Sequence, residues 1–214
     1  MDHVTFEYLY SKITASSSDR FFYSMLTLSS HEPFAIPGDP LLKGNTDEIK
    51  FLNSLNYTDK CIGDFIAKAK KTNWWNNTLI IFVADHGSHM PGYSSTTDPV
   101  KYRIPMIWIG GALNVRDTII HAYGSQVDIA RTLIEQLQIK STGFPFSRNI
   151  LSESVYPYAF FSFNNGFGML TPHSELVYDN NAGKYIVMNG EISEFDQNVG
   201  KAYLQILNAD FIKK

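Results

Sequence analysis

Apolar positions along this chain fall into two rhythms. Thr78-Leu-Ile-Ile-Phe-Val-Ala84 carries no charge and follows the polar pair Asn76-Asn77. A continuous run of that kind, rich in β-branched and aromatic residues, predicts a strand buried on both faces of a parallel sheet. Phe21-Phe-Tyr-Ser-Met-Leu-Thr-Leu28 predicts a second strand, and Ile104-Pro-Met-Ile-Trp-Ile109, stopped by Gly110-Gly111, a third. Between them the period changes. Ile49, Leu52, Leu55, Ile62, Phe65 and Ile66 recur at helical spacing, so a long helix is expected from Asn45 to Lys71, opened by a capping box of Asn45 with Glu48. Lys68, Lys70 and Lys71 gather in its last turns, where cations complement the carbonyl end of the helix dipole. Ser125 to Ile139 predicts another helix, with a second box of Ser125 and Asp128 and an apolar face of Ile129, Leu133, Ile134 and Leu137. Asp128 is therefore read as a cap and not as a ligand.

Past Ser141-Thr-Gly-Phe-Pro-Phe146 the pattern shifts. Tyr158–Phe163, Phe167–Leu170, Ser174–Tyr178 and Lys184–Met188 are short runs separated by Asn-, Pro- and Gly-bearing turns, which predicts an antiparallel meander. Val199 to Ile212 closes the chain as an amphipathic helix with Ala202, Tyr203, Ile206 and Leu207 inward. The expected organisation is an α/β segment over residues 1–150, with a small antiparallel sheet plus closing helix over 151–214 packed on the same unit.

Composition bounds the function. A chain of 214 residues, 44% hydrophobic and 18% charged, is long enough for a real core. Its net charge of −3 offers no basic footprint, which argues against nucleic acid binding by bulk electrostatics. The lone Cys61 rules out an internal disulfide and falls in a helical pattern as a small apolar residue. No window approaches the roughly twenty apolar residues of a membrane span, and no basic region followed by an apolar stretch marks a signal peptide. The chain itself is expected to be soluble.

Candidate chemistry sits at strand ends. The Thr78–Ala84 run delivers Asp85-His86-Gly87 at its carboxyl end, where α/β sheets collect their ligands. Carboxylate oxygen beside imidazole nitrogen suits Mn²⁺, Zn²⁺ or Mg²⁺. Neighbouring residues of a strand point to opposite faces, so both reach one ion only where the backbone leaves the β conformation. The structural alternative is a strand-ending turn, with Asp85 capping it and His86 bonded to the backbone. The Phe21–Leu28 run repeats the layout, delivering Ser29-Ser30-His31-Glu32-Pro33-Phe34. Glu32 precedes proline and is biased to an extended backbone, which helps to aim His31. An imidazole there can donate to an anionic oxygen or protonate a leaving group.

Leu-Thr-Leu-Ser-Ser-His31-Glu-Pro-Phe, Tyr57-Thr-Asp59, Ala84-Asp85-His86-Gly87, Tyr102-Arg-Ile-Pro105 and Ser125-Gln-Val-Asp128-Ile-Ala resemble, in order and spacing over roughly residues 7–150, the sulfatase and alkaline-phosphatase superfamily. Within it they look like the lipoteichoic acid synthase and phosphoglycerol transferase branch. The resemblance implies an α/β/α sandwich, present here in part, and an enzyme whose Thr, Ser or modified Cys nucleophile attacks a phosphate or sulfate ester. It assigns Asp85 and His86 to a divalent metal, Mn²⁺ first, with Zn²⁺, Mg²⁺ or Ca²⁺ as alternatives, and His31 to the phosphoryl group of the substrate. It places the nucleophile and a further acidic ligand upstream of the Ser-His-Glu-Pro-Phe segment, in elements that these residues do not match. Neither Thr5 nor Thr14 takes that part, so the chain alone is expected to be inactive.

By the same resemblance the substrate is an anionic phosphate or sulfate ester, lipid- or glycan-linked. The location is the extracytoplasmic face of the cell membrane or the periplasm, with membrane attachment through upstream helices. Self-association through exposed apolar surface is a further expectation. Two other functions stay open: a sulfuric ester hydrolase of the same superfamily, and a non-catalytic module retaining half of the fold.

Overall fold

The computed structural model describes every residue except Asp19 and Lys214. It is a mixed α/β structure of two compact units, one formed by residues 1–93 and 104–116, the other by 94–103 and 117–214.

The first unit holds helices α1 (Asp2–Thr14) and α2 (Asp47–Ala69) and strands β1 (Ile80–Val83) and β2 (Met106–Ile109). Its core is Phe6 of α1 against Cys61 and Phe65 of α2, with the Phe6 and Phe65 rings 5.3 Å apart and Ile80 and Phe82 packed alongside. The sequence pattern did not announce α1, although Phe6, Tyr10 and Ile13 keep helical spacing. Cys61 is buried as expected. α2 is entered one residue later than predicted: Thr46, in an extended conformation, accepts the Ile49 N–H through Oγ1 at 3.3 Å, in place of Asn45.

Two strand expectations are corrected. β1 pairs with β2 in antiparallel register, Ile80 opposite Ile109 through Val83 opposite Met106, and the pair is half-buried, not covered on both faces. Phe21–Leu28 forms no strand. Strand propensity becomes a strand only when a neighbouring backbone supplies the ladder. No described segment pairs with these residues; Phe22, Leu26 and Leu28 are 83%, 80% and 70% exposed.

The second unit contains α3 (Asp128–Gln136), β3 (Ala159–Phe163), β4 (Gly166–Leu170), β5 (Ser174–Asp179), β6 (Lys184–Gly190) and α4 (Glu194–Lys213). The four strands form the antiparallel meander in sequential order that the turn residues predict. On one face Phe167 and Met169 pack against α4, where a Cβ on Gly200 would stand 2.7 Å from the Phe167 ring. On the other, Phe161 and Phe163 lie over Gly168 and Gly166 of the neighbouring strand, and Tyr102 stacks on Phe161 with centroids 3.9 Å apart. α4 starts earlier than predicted and turns Asp196, Gly200, Tyr203 and Leu207 inward, leaving Ala202 and Ile206 exposed. The reason is a capping box: Ser193 Oγ accepts the Asp196 N–H at 3.0 Å while the Asp196 carboxylate accepts the Ser193 N–H at 3.2 Å.

α3 is shorter than predicted, and its buried positions are polar: Asp128 and Thr132, with Leu137 left 53% exposed. Asp128 accepts the Ser125 N–H at 2.9 Å, one half of the expected box; the other half is not made, because Ser125 Oγ bonds the Phe160 backbone, and the helix starts from Val127 without a side-chain cap. Its main partner, however, is Arg148, which donates from Nε at 3.1 Å and from Nη2, and whose backbone N–H adds a bond of 2.8 Å. Arg148 also donates to the carbonyls of Tyr156 and Tyr158 and lies 3.4 Å from the Tyr158 ring centroid. A fully buried carboxylate is thus compensated by a guanidinium that makes four hydrogen bonds of its own.

Candidate functional site

β1 ends at Val83, and the Ala84 N–H bonds the Pro105 carbonyl at 3.3 Å. The chain then bends at Asp85 and His86, out of the β conformation. Within that bend Asp85 Oδ1 accepts the N–H of the adjacent His86 at 2.9 Å. The two side chains consequently fall on the same side, His86 Nε2 lying 3.5 Å from Asp85 Oδ2, and both are solvent-exposed. His86 Nδ1 faces the Gly87 carbonyl at 2.9 Å. A carbonyl only accepts, so Nδ1 carries the proton in the neutral ring and Nε2 presents its lone pair.

This bend is the turn of the structural alternative, and it also meets the requirement for a ligand pair. For metal–ligand bonds of about 2.1 Å, donors 3.5 Å apart subtend roughly 110°, near the tetrahedral angle. A backbone carbonyl on the remote imidazole nitrogen is the usual support of a metal-binding histidine. Cations from hard Mn²⁺ to borderline Zn²⁺ fit this oxygen and nitrogen set. The set is not closed: among the described residues no group of three or more His, Cys, Asp or Glu could hold a metal.

His31 belongs to the same compact unit but follows an irregular segment, not the predicted strand. It sits in a turn in which its N–H bonds the Leu28 carbonyl at 3.0 Å and its carbonyl accepts the Phe34 N–H at 2.8 Å. Phe34, 7% exposed, plugs this turn onto α2 against Phe51, with ring centroids 5.6 Å apart. The His31 ring is exposed, and its Nδ1 faces the Glu32 carbonyl at 3.0 Å, leaving Nε2 outward. Asp85 and His86 are thus brought together by one bend, and His31 is presented by a separately anchored turn.

Sequence reasoning passed over Asp2, which is 1% exposed. Its Oδ1 accepts the N–H groups of Leu28 at 2.9 Å and Ser29 at 3.2 Å, and its Oδ2 accepts the Thr58 hydroxyl at 2.7 Å. Burial pushes this carboxyl up, but the bonds from Leu28, Thr58 and Ser29 outweigh it and hold it below the usual carboxylate value. Beside it Tyr57 bonds His3, so Tyr57-Thr58 ties the start of α1 to the middle of α2. The signal available was the Tyr57-Thr-Asp59 motif itself, placed here on a helix with no apolar reason for its polar residues.

The two threonines of α1 are engaged elsewhere. Thr5 Oγ1 bonds the Met1 carbonyl at 3.4 Å, and Thr14 Oγ1 accepts the Trp74 indole N–H at 3.3 Å.

The sulfatase family model matches residues 1–139. Among curated proteins, a lipoteichoic acid synthase-like protein, YvgJ, of Bacillus subtilis is 27% identical over 89% of this chain and 33% of its own length. Phosphoglycerol transferase I of Xanthomonas euvesicatoria is 24% identical over 65% of this chain and 20% of its own. Of solved structures, an alkaline phosphatase superfamily protein from Vibrio parahaemolyticus superposes with a TM-score of 0.75 at 22% identity, over 94% of this chain and 52% of the other. The lipoteichoic acid synthase LtaP of Listeria monocytogenes gives 0.70 at 20% identity, over 97% and 58%. The chain therefore spans a third or less of these curated relatives and just over half of the structural ones.

Proposed function

From the premise that this chain belongs to the sulfatase family, we propose that it carries the metal-ligating edge and the phosphoryl contact of a phosphoglycerol transferase or phosphodiesterase. The observation that carries this reading is the Asp85-His86 bend, whose outward Oδ2 and Nε2 stand 3.5 Å apart at the end of β1. The names of the relatives favour phosphate over sulfate esters. The fit of a modified cysteine to this chain is poor, because Cys61 is buried within α2.

In this reading Asp85 and His86 hold a divalent cation, Mn²⁺ by preference, which when bound neutralises charge on the phosphate. The Gly87 carbonyl keeps the His86 tautomer that leaves Nε2 as the donor. The Glu32 carbonyl takes the Nδ1 proton of His31, so in this reading the exposed ring donates from Nε2 to a phosphoryl oxygen as the imidazolium. Thr5 and Thr14 are not nucleophiles, and we expect no diester turnover by this chain alone. The substrate class is an anionic, lipid- or glycan-linked phosphate ester at the extracytoplasmic face of the cell envelope. Among the described residues no helix is long and apolar enough to cross a membrane.

Mn²⁺ added to ¹⁵N-labelled protein should broaden resonances around His86 first, weakly, because two ligands hold an ion poorly. The same titration on Asp85→Ala should show no such focus. Broadening absent from the wild type, or unchanged in the variant, would remove the ligand assignment.

A further inference from the structure

We infer that Asp2 is the positioning residue of the His31 turn, setting where that imidazole is presented to a phosphate ester. The inference rests on the reading of His31 as the phosphoryl contact. Phe21–Leu28 has no strand ladder among the described residues to fix where it ends. The Asp2 carboxylate takes over that task at its last residue. It accepts the N–H of Leu28 and of Ser29, and the Leu28 carbonyl in turn accepts the N–H of His31. One of the two peptide groups gripped by Asp2, Leu28–Ser29, is therefore the group whose carbonyl closes the turn on which His31 rides.

Asp2 is itself held. Thr58 of α2 donates to Oδ2, the Asp2 N–H reaches Ser29 Oγ at 3.3 Å, and Ser30 Oγ lies 3.5 Å from Thr58 Oγ1. Asp2, Ser29 and Thr58 are all buried, so water does not compete for these bonds. This arrangement also gives the Tyr57-Thr58 part of the sequence motif a task distinct from substrate contact: Thr58 orients the carboxylate that orients the turn.

The test is amide hydrogen exchange and imidazole NMR on the full chain. Asp2→Ala should raise exchange at Leu28, Ser29 and His31 by about tenfold or more relative to Cys61 and Phe65 in α2, since bonds to a charged acceptor are lost. Asp2→Asn should restore most of the protection, because its carbonyl oxygen still accepts from Leu28 and Ser29 and its amide can donate to the Thr58 hydroxyl. In parallel, sn-glycerol 1-phosphate is titrated against the His31 ring signals; these should move in wild type and Asp2→Asn and lose that response in Asp2→Ala. A wild-type ring that ignores glycerol phosphate would refute the phosphoryl role of His31, while the exchange data would still decide the positioning. Should Asp2→Ala fail to fold, Thr58→Val carries the test: exchange must rise selectively at Leu28 and Ser29. Uniform or absent change there, or unchanged exchange in a folded Asp2→Ala, would overturn the inference.

Discussion

Replacing Arg148 by Met removes the guanidinium but keeps a stem of similar length along Tyr158. Asp128 is fully buried, and among the described residues the substitution leaves it the N–H groups of Ser125 and of residue 148, at 2.9 and 2.8 Å. The lost bonds are those from Nε and Nη2 to the carboxylate, together with those to the Tyr156 and Tyr158 carbonyls. Stranding a buried charge in this way costs about 3–5 kcal/mol. At about 2–4 °C per kcal/mol for a chain of this size, the melting temperature should fall by roughly 6–20 °C. Urea unfolding followed by circular dichroism should show a lower midpoint at unchanged slope. The decisive control is Arg148→Met with Asp128→Asn. If the penalty comes from an uncompensated charge, neutralising the partner restores part of the loss, so the double variant is more stable than Arg148→Met. A double variant equal to the sum of two independent losses would refute the reasoning and reduce the pair to separate hydrogen bonds.

Gly168→Ala would put a Cβ 2.0 Å from Phe161 Cζ, forcing the ring, and Tyr102 stacked on it, out of place. A loss of about 1–3 kcal/mol is expected, with a displaced Tyr102 ring signal; Gly63→Ala in α2, whose Cβ meets nothing within 4 Å, should instead stabilise by roughly 0.5–1 kcal/mol. Acid sensitivity should follow the two depressed carboxyls. For Asp2, and for Asp196, burial raises the carboxyl but is outweighed by bonds from Leu28, Thr58 and Ser29 in the first case and from Tyr156, Ser193 and Ser174 in the second. Their folded values lie below the ordinary 3.8, so their contribution is complete above that pH and disappears as pH falls through the lowered values. The stability gap between wild type and Asp2→Asn, measured by urea titration, should therefore narrow below about pH 4; a gap independent of pH would contradict this.

Local elements and candidate residues were legible without a structure. The four meander strands follow from short alternating runs cut by Asn, Pro and Gly, because hairpin register depends on neighbours in sequence. α2 was visible from its period, and the Asp85-His86-Gly87 triplet from its position after an apolar run. His31 stood out by its motif. What the sequence could not supply were relations between residues far apart along the chain. Phe21–Leu28 has the propensity of a strand but, in the described structure, no ladder, since a strand is a property of a pair of backbones. The direction of β1 relative to β2 is likewise a pairing fact, not a composition. The burial of Asp2 beneath Leu28 and Thr58 joins positions 26 and 56 residues apart. Asp128 looked like a helix cap because its local partner, Ser125, is three residues away; only the folded chain brings Arg148 to it. The sequence by itself determined which residues are candidates for chemistry and which segments can form helices and hairpins, through propensities and spacing that act within a few residues. The tertiary structure decided which carboxylates are buried and which face solvent, because desolvation and hydrogen-bond partners are set by segments that meet only after folding.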